Sequence, residues 1–250
     1  MARRTHRGRR SRGRFGFLYV VLSFLLILVC LVVGSVVFFR ANTISVVGND
    51  LYAADDIIAA AQVEEGQNLF RINRPATYQR ILASLPYVRS VNIRRAFPDE
   101  LVITVTETHA VAFLTCSDGI FLLDARGKVL EEVSTPPTTL PEISGLEPLP
   151  PVIGSLLPVE HHQKTRMDGL TGLLIALEDH GMVGNLRYID LSSSSDLLFG
   201  YTERFTAQMP LVCDHNYKVR ALDYVVQQLA ANESGLIDLT RSDETHFIPQ

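Results

Sequence analysis

Two stretches of the chain between residues 85 and 107 alternate apolar and polar side chains, which is the period of a half-buried β-strand. In the first stretch Val91 and Ile93 point to one face, and in the second stretch alternate residues from Leu101 to Val105 do the same. Between them, residues 97–100 read Phe-Pro-Asp-Glu. Proline fixes φ and has no N–H to donate, so this segment is a turn. The pattern therefore predicts an antiparallel hairpin.

The residues before the hairpin predict one strand and two helices, because their apolar positions change from a period of two to helical spacing. These elements are expected at residues 43–47, 52–62 and 73–85. Asn73 is a good N-cap for the second helix, and Pro86 ends it. The apolar residues between the two helices are expected to fill the core: Leu69, Phe70 and Ile72. The order strand, helix, helix, strand, strand over residues 43–107 indicates an α+β unit with both helices on one face of a small sheet.

A long apolar run precedes this unit. Residues 15–39 form 25 consecutive residues without a charge, and as a helix they would extend about 37 Å and cross a hydrocarbon core of about 30 Å. A cleaved signal peptide is the alternative, because basic residues precede the run. The apolar part of a signal peptide has about 7–15 residues and ends at small residues, whereas this run ends in Val-Val-Phe-Phe. The pattern favours an uncleaved transmembrane helix at residues 15–39.

Charge is distributed unevenly along the chain. Residues 1–14 hold seven arginines and no acidic residue, so the positive-inside rule predicts a basic cytoplasmic tail and places everything after Arg40 outside the cytoplasm. The tail is also expected to attract anionic lipid of the bilayer. Without those seven arginines the chain has 16 of its 23 basic residues and all 27 acidic residues, so the formal net charge of the remainder is about −11. Nucleic acid, which requires clustered Lys and Arg, is therefore not an expected partner.

The residues after the hairpin predict a second region at 108–250, made mostly of antiparallel strands with flanking helices. Strands are expected in a hairpin at 119–130, in a meander at 187–191, 196–201 and 204–209, and at 236–240. Helices are expected around 167–177 and at 217–231. Residues 134–158 are rich in proline and glycine, and we expect an ordered loop there that includes residues 140–145. The expected fold class is α+β, with an N-terminal transmembrane helix, a β-α-α-β-β unit and a mostly antiparallel β domain.

No motif of catalysis accompanies these elements. The sequence lacks a Gly-x-Ser-x-Gly elbow, a Gly-x-x-x-x-Gly-Lys-Ser/Thr loop and a His-Glu-x-x-His pair. His161 and His162 are adjacent, so on a helix they would point in different directions and bind one metal poorly. Cys116 and Cys213 lie in the exported region, where they either form a disulfide or remain buried thiols. We therefore expect no catalytic residue, no metal site and no cofactor.

The hairpin also carries a family resemblance. Residues 85–88 (LPYV) and 91–101 (VNIRRAFPDEL), preceded by Asn-Leu-Phe at 68–70, resemble the signature of the FtsQ/DivIB family of bacterial cell-division proteins. The order of elements before and within the hairpin is similar to that of a POTRA domain. The resemblance implies a POTRA domain at 43–107 and an FtsQ-type β domain at 108–250.

The resemblance implies a non-enzymatic divisome scaffold that recruits and helps regulate septal peptidoglycan synthesis. Its implied partners are the single-span division proteins FtsB and FtsL, bound near the C-terminal strand of the β domain, where an exposed sheet edge can accept another strand. The residues expected at this edge are Leu236, Ile237, Asp238, Leu239, Thr240, Arg241, Asp243 and Phe247. Three hairpin arginines are expected either to contact other septal proteins or to form a solvated strand face: Arg89, Arg94 and Arg95. The implied location is the inner membrane at the septum, with a cytoplasmic N-terminus and periplasmic domains.

Two other classes of function stay open. POTRA units also occur in outer-membrane assembly and secretion proteins, but those require a following barrel for which this length leaves no room. The other class is a membrane-anchored sensor or enzyme of the cell envelope. A deep pocket with convergent carboxylates would favour the sensor or enzyme, and a filled β domain with one bare sheet edge would favour the scaffold.

Overall fold

The computed structural model describes residues 13–241 and 244–249, which form a long helix, a small unit with its own sheet and a larger sheet covered by helices. The long helix α1 spans Gly13–Phe38, and its segment Gly16–Gly34 is long and apolar enough to cross a membrane. The other helices are α2 (Ala54–Ala61), α3 (Arg74–Ser84), α4 (Lys164–Asp179) and α5 (His215–Gln228), with short 3-10 helices at Leu69–Arg71, His161–Gln163 and Val183–Asn185. The strands are β1 (Thr43–Val47), β2 (Val88–Ala96), β3 (Glu100–Glu107), β4 (Ala112–Cys116), β5 (Gly119–Leu123), β6 (Val129–Val133), β7 (Glu142–Ser144), β8 (Leu186–Asp190), β9 (Asp196–Tyr201), β10 (Phe205–Pro210), β11 (Gly235–Asp238) and β12 (His246–Pro249).

The small unit has the order of elements that the sequence predicts. Its sheet runs β1-β3-β2, with β1 parallel and β2 antiparallel to the central β3. The register pairs Ile93 with Ile103, so the apolar sides of both hairpin strands lie on one face. Helices α2 and α3 cover that face, and Asn73 caps α3 by accepting a hydrogen bond from the Ala76 N–H at 3.3 Å. The unit thus has a hydrophobic core of its own.

The larger sheet has the strand order β12-β11-β10-β9-β8-β7-β4-β5-β6. Strands β8, β9 and β10 form the predicted antiparallel meander. Helices α4 and α5 pack against the sheet, and the shared core includes Leu173 and Leu177 from α4 and Val219 and Leu222 from α5. The expected fold class is confirmed: the chain is a mixed α+β protein with an N-terminal apolar helix and a sheet-rich C-terminal region.

The sequence predicts a loop at residues 140–145, and this prediction is wrong at its centre. Strand β7 lies in the middle of the larger sheet and pairs in parallel with both β4 and β8. It joins two groups of strands, β4 to β6 and β8 to β12, that would otherwise be separate sheets. Three residues are too few to show a period of two, and the surrounding prolines and glycines are typical of loops. For these two reasons the sequence pattern does not indicate a strand there.

The prediction that Phe70 fills the core is also wrong. Leu69 and Ile72 are 0% and 4% exposed, as expected, but the Phe70 side chain is 51% exposed. The cause is the 3-10 helix at Leu69–Arg71, which turns successive side chains by about 120°. With Leu69 directed into the core, Phe70 points outward.

The small unit and the larger sheet are joined by polar contacts at their junction. Lys128 Nζ donates a hydrogen bond to the Val88 carbonyl at 2.9 Å. Asp124 is only 1% exposed, and its carboxylate accepts hydrogen bonds from the Arg126 and Lys128 N–H groups at 2.9 Å and from the Thr108 hydroxyl at 3.3 Å. Burial lowers the pKa of Lys128, and the nearby Asp124 carboxylate partly opposes that shift. The buried carboxylate therefore organises the turn that touches the hairpin.

Candidate functional site

The edge of the larger sheet is one strand further along the chain than the sequence predicts. Residues 236–240 were expected to form the exposed edge, but β11 lies between β10, to which it is parallel, and β12, to which it is antiparallel. The outermost strand at this end is β12, whose register pairs Phe247 with Ile237 and Ile248 with Leu236. The expected edge position of β11 is therefore corrected to β12.

The residues predicted for the edge fall into two groups. Ile237 and Leu239 are fully buried in the core, while Leu236, Asp238 and Thr240 are half-buried. The other predicted residues follow β11: Arg241, which is exposed, Phe247, which is half-buried in β12, and Asp243, which lies outside the described residues. The buried pair supports the edge from inside and is covered by neighbouring strands and helices.

Asp238 fixes the start of the connection between β11 and β12. Its Oδ1 accepts hydrogen bonds from the Thr240 N–H at 2.8 Å and from the Thr240 hydroxyl at 2.7 Å. Burial alone would raise the pKa of Asp238, but these hydrogen bonds and the positive charge of Arg241 outweigh it, and the pKa is lowered. Lys218 of α5 holds the same connection by donating to the Arg241 carbonyl. The turn that presents β12 is therefore tied to the body of the domain.

Two apolar side chains of β12 differ in their surroundings: Phe247 packs against the core, and Ile248 is exposed to solvent. The Phe247 ring packs edge-on against Phe205 with centroids 6.1 Å apart, which seats the strand on the core. Ile248 is 48% exposed. Because β12 is outermost among the strands described, about half of its N–H and C=O groups face away from β11. Pro249 lacks an N–H, so the row of main-chain donors that faces away from β11 ends at this residue.

A cleft of about 380 Å³ opens at the end of the sheet where β10 and β11 finish. Pro210 and Thr240 mark those strand ends in its wall, and Val212 and Tyr217 add apolar surface that is 78% and 46% exposed. Cys213 also lines the cleft, and burial raises the pKa of its thiol, so the thiol stays protonated and weakly reactive. The cleft provides an apolar site close to the connection that leads into β12.

The three hairpin arginines do not form one cluster. Arg89 turns toward α4 and donates to Glu178 at 2.8 Å, and Arg95 donates to the Ile72 carbonyl at 3.0 Å and lies over the Phe70 ring. Arg94 is exposed on the opposite face of β2. Two of the three arginines thus make contacts within the chain, and Arg94 presents its charge to solvent.

Over residues 13–241 and 244–249, no group of three or more His, Cys, Asp or Glu side chains is placed to hold a metal ion. His161 and His162 are exposed in a 3-10 helix, and His162 contacts the Glu160 carboxylate at 3.2 Å. Cys116 and Cys213 are both free thiols, so they do not form the disulfide that the sequence left open.

Comparison with known proteins identifies the small unit. The family model of the POTRA domain, FtsQ-type, matches residues 39–108. A cell division protein FtsQ of Corynebacterium glutamicum is 32% identical over 132 residues, which cover 51% of this chain and 58% of that protein. A cell division protein DivIB of Clostridium acetobutylicum is 24% identical over 206 residues, which cover 81% of this chain and 80% of that protein.

A third relative, the cell division protein FtsQ of Mycobacteroides abscessus, is 28% identical over 56% of this chain and 46% of its own length. The matched region thus spans about half the length of the two FtsQ relatives and most of the DivIB relative. The small unit is an FtsQ-type POTRA domain, and the DivIB match is long enough to extend into the larger sheet. Over most of its length the chain is thus similar to cell division proteins named FtsQ and DivIB.

Proposed function

We propose that this protein is a non-enzymatic divisome scaffold whose larger sheet accepts a strand from FtsB/FtsL-like single-span proteins at β12. The observation that carries the proposal is the position of β12, which among the described strands is outermost at one end of the larger sheet, with Ile248 half exposed. An edge strand offers a row of main-chain donors and acceptors, and an incoming chain that pairs with it satisfies them. By holding these partners, the scaffold recruits and helps regulate septal peptidoglycan synthesis.

Strand pairing at β12 needs support from side chains. Each added hydrogen bond contributes only about 0.5–1.5 kcal/mol, and β12 has four residues, the last of which is Pro249. A partner therefore requires apolar anchors next to the strand. Ile248 supplies one contact, and the cleft beside Val212 and Tyr217 can receive an apolar side chain of the partner. Backbone pairing would then set the register while these contacts supply affinity.

The same proposal places α1 in the bacterial inner membrane. Its apolar segment Gly16–Gly34 matches the thickness of a bilayer core, and the arginine-rich residues that precede it are of the kind retained in the cytoplasm. The POTRA and β domains would then lie in the periplasm, enriched at the division septum. Arg94, exposed on β2, is the hairpin arginine best placed to contact another septal protein.

A proline at the edge tests the strand-pairing proposal. In the antiparallel ladder the Ile248 N–H faces Leu236 of β11, so Ile248→Pro breaks that pairing, displaces β12 from the edge and removes one apolar contact. The matched control Val133→Pro puts the same residue in the last position of β6, the strand at the opposite edge. With the full chain in detergent or nanodiscs, we expect capture of the FtsB/FtsL-like pair to be lost in Ile248→Pro and retained in Val133→Pro. Undiminished capture by a folded Ile248→Pro protein would contradict strand pairing at β12.

A further inference from the structure

Three phenylalanines from distant parts of the chain meet where α1 joins the POTRA domain. The ring centroids of Phe39 and Phe70 are 5.3 Å apart, those of Phe39 and Phe97 are 5.4 Å apart, and those of Phe70 and Phe97 are 5.5 Å apart. Phe39 follows the last residue of α1, Phe70 lies in the 3-10 helix and Phe97 in the hairpin turn. We call these three residues the aromatic cluster.

The aromatic cluster lies on the surface of the domain. Phe70 is 51% exposed and Phe97 is 57% exposed, and neither belongs to the core of the POTRA domain. Contiguous exposed apolar surface of this kind marks a binding surface in a protein that is otherwise well packed.

The position of the aromatic cluster relative to α1 is fixed, since no free linker separates them. The Phe39 carbonyl already accepts a hydrogen bond from the Leu69 N–H at 2.9 Å. The next residue but one, Ala41, donates to the Gln67 carbonyl at 2.8 Å, and the Asp99 carbonyl accepts from the Asn42 N–H at 2.9 Å. The chain therefore enters the POTRA domain at the residue that follows the helix.

This connection sets the depth of the cluster in the bilayer. The segment Gly16–Gly34 has 19 residues, and at 1.5 Å per residue it spans about 28 Å, close to the thickness of a hydrocarbon core. Phe39 comes five residues later, about 7 Å further along the helix axis. This height is that of the headgroup layer, where aromatic side chains are enriched in membrane proteins.

The charges around the aromatic cluster are mixed. Arg40 and Arg71 line a cleft beside it, and the Arg95 guanidinium lies over the Phe70 ring at 5.9 Å. Glu64 and Glu65 lie exposed in the turn just before this cleft. The arginines suit phosphate oxygens of phospholipids, but the acidic pair limits any preference for anionic lipid. The aromatic rings are thus the main contact, with the arginines beside them.

We propose that the aromatic cluster seats the POTRA domain on the periplasmic headgroup layer of the phospholipid bilayer. The inference rests on the proposed membrane anchorage by α1. The three rings enter the headgroup layer, and these three contacts fix the tilt of the POTRA domain relative to the membrane. The larger sheet, which is attached through the POTRA domain, is thereby held in a defined direction away from the bilayer.

The sequence contains no tryptophan, so one substitution creates a single fluorescent reporter. The full chain is reconstituted into vesicles of phosphatidylcholine and phosphatidylglycerol, with or without phosphatidylcholine that is brominated, in separate samples, near the glycerol end or near the methyl end of its acyl chains. The reporters are Phe97→Trp and Phe70→Trp in the aromatic cluster, Phe24→Trp inside α1, and Tyr224→Trp, which replaces a 67% exposed side chain on α5. Two cluster variants are used so that one misfolded protein does not decide the result.

We expect the cluster tryptophans and Phe24→Trp to emit at short wavelength and to be quenched by brominated lipid, while Tyr224→Trp emits as in water and is unaffected. If the cluster tryptophans are unquenched while Phe24→Trp is quenched, α1 is anchored in the membrane but the aromatic cluster does not contact the headgroup layer, and the proposal is wrong. Short-wavelength emission without quenching would show that protein covers the cluster, for example a second copy, and would also overturn the proposal. If Phe24→Trp itself is unquenched, α1 does not anchor the protein in the membrane, and the proposed contact of the aromatic cluster with lipid is then also wrong.

Discussion

Arg89 of β2 and Glu178 of α4 form an ion pair of 2.8 Å that joins the POTRA domain to the larger sheet. Both side chains are largely covered, with 23% and 19% of their surfaces exposed. The same Arg89 Nη2 also donates to the Thr108 hydroxyl at 2.9 Å, directly where the chain passes from one domain to the other. A charge-assisted contact at this degree of burial is stronger than a surface ion pair.

A double-mutant cycle measures this contact. We expect Arg89→Gln and Glu178→Gln each to lower the free energy of unfolding, with a coupling energy of about 1–2 kcal/mol, because the hydrogen bonds involve charged and partly desolvated groups. Urea unfolding of the full chain in detergent, followed by circular dichroism, provides the measurement. The matched control is Arg187 and Glu203, a pair of 2.7 Å with 45% and 81% of the side chains exposed. Its coupling should be within about 0.5 kcal/mol of zero, and equal coupling in both cycles would refute the argument from burial.

Gly145 is expected to be intolerant of a side chain. Its φ is +76°, and a Cβ built there would lie 2.2 Å from the Ser192 backbone nitrogen, where β7 and β8 run side by side. Gly145→Ala combines a left-handed backbone with a clash against main-chain atoms that cannot rotate away. We expect a loss of about 2–3 kcal/mol in the free energy of unfolding, measured by urea denaturation of the full chain.

Gly181 provides the control for this substitution. It follows α4 with a similar φ of +68°, but no described atom lies within 4 Å of the added Cβ. Gly181→Ala should therefore cost only the backbone strain, about 1 kcal/mol. If the two alanine variants were equally stable, the close approach of β7 to β8 would not be a constraint on the fold.

His215 makes stability depend on pH. Burial lowers the pKa of its imidazole below the usual 6.5, and the neighbouring Asp214 carboxylate opposes this shift only partly. Nε2 is buried and has no hydrogen-bond partner among the described residues. The unfolded chain therefore takes up a proton at a higher pH than the folded chain, so the stability from a neutral His215 is complete above pH 6.5. It is lost as pH falls from 6.5 through the folded pKa.

The expected slope in that window is at most about 1.4 kcal/mol per pH unit, the limit for one proton. In His215→Gln, the free energy of unfolding measured between pH 7 and pH 5 should depend less on pH than in the parent protein. His161→Gln is the control, since His161 is exposed in the 3-10 helix. An unchanged pH dependence in His215→Gln would show that the burial of this imidazole is not linked to folding.

The POTRA domain was predictable because each of its elements has a strong local signal. The hairpin alternates over strands of nine and eight residues, and Asn73 and Pro86 mark the ends of α3. The meander β8 to β10 has the same property. In these segments the local pattern and the final packing agree, so periodicity is sufficient.

The edge of the larger sheet was harder to predict, because its features depend on contacts between distant residues. Strand β12 has four residues and ends in Pro249, so it shows only one alternation, and pairing with β11 decides that it is a strand. Arg89 resembles a solvated strand residue until α4 is placed beside it. Phe70 followed the apolar rule for core residues, but the tight turn of its 3-10 helix directs it outward. Short strands and cross-domain contacts carry little sequence signal of their own.

Hydrogen–deuterium exchange at β12 tests the central claim most directly. The full chain in nanodiscs is labelled with and without FtsB/FtsL-like proteins, and exchange is compared between residues 246–248 of β12 and residues 129–133 of β6, the strand at the other edge. We expect partner binding to slow exchange at β12 and to leave β6 unchanged, because only amides in a newly paired strand gain acceptors. Partner binding that leaves β12 exchange unchanged, or that protects β6 instead, would contradict a scaffold that works through this edge.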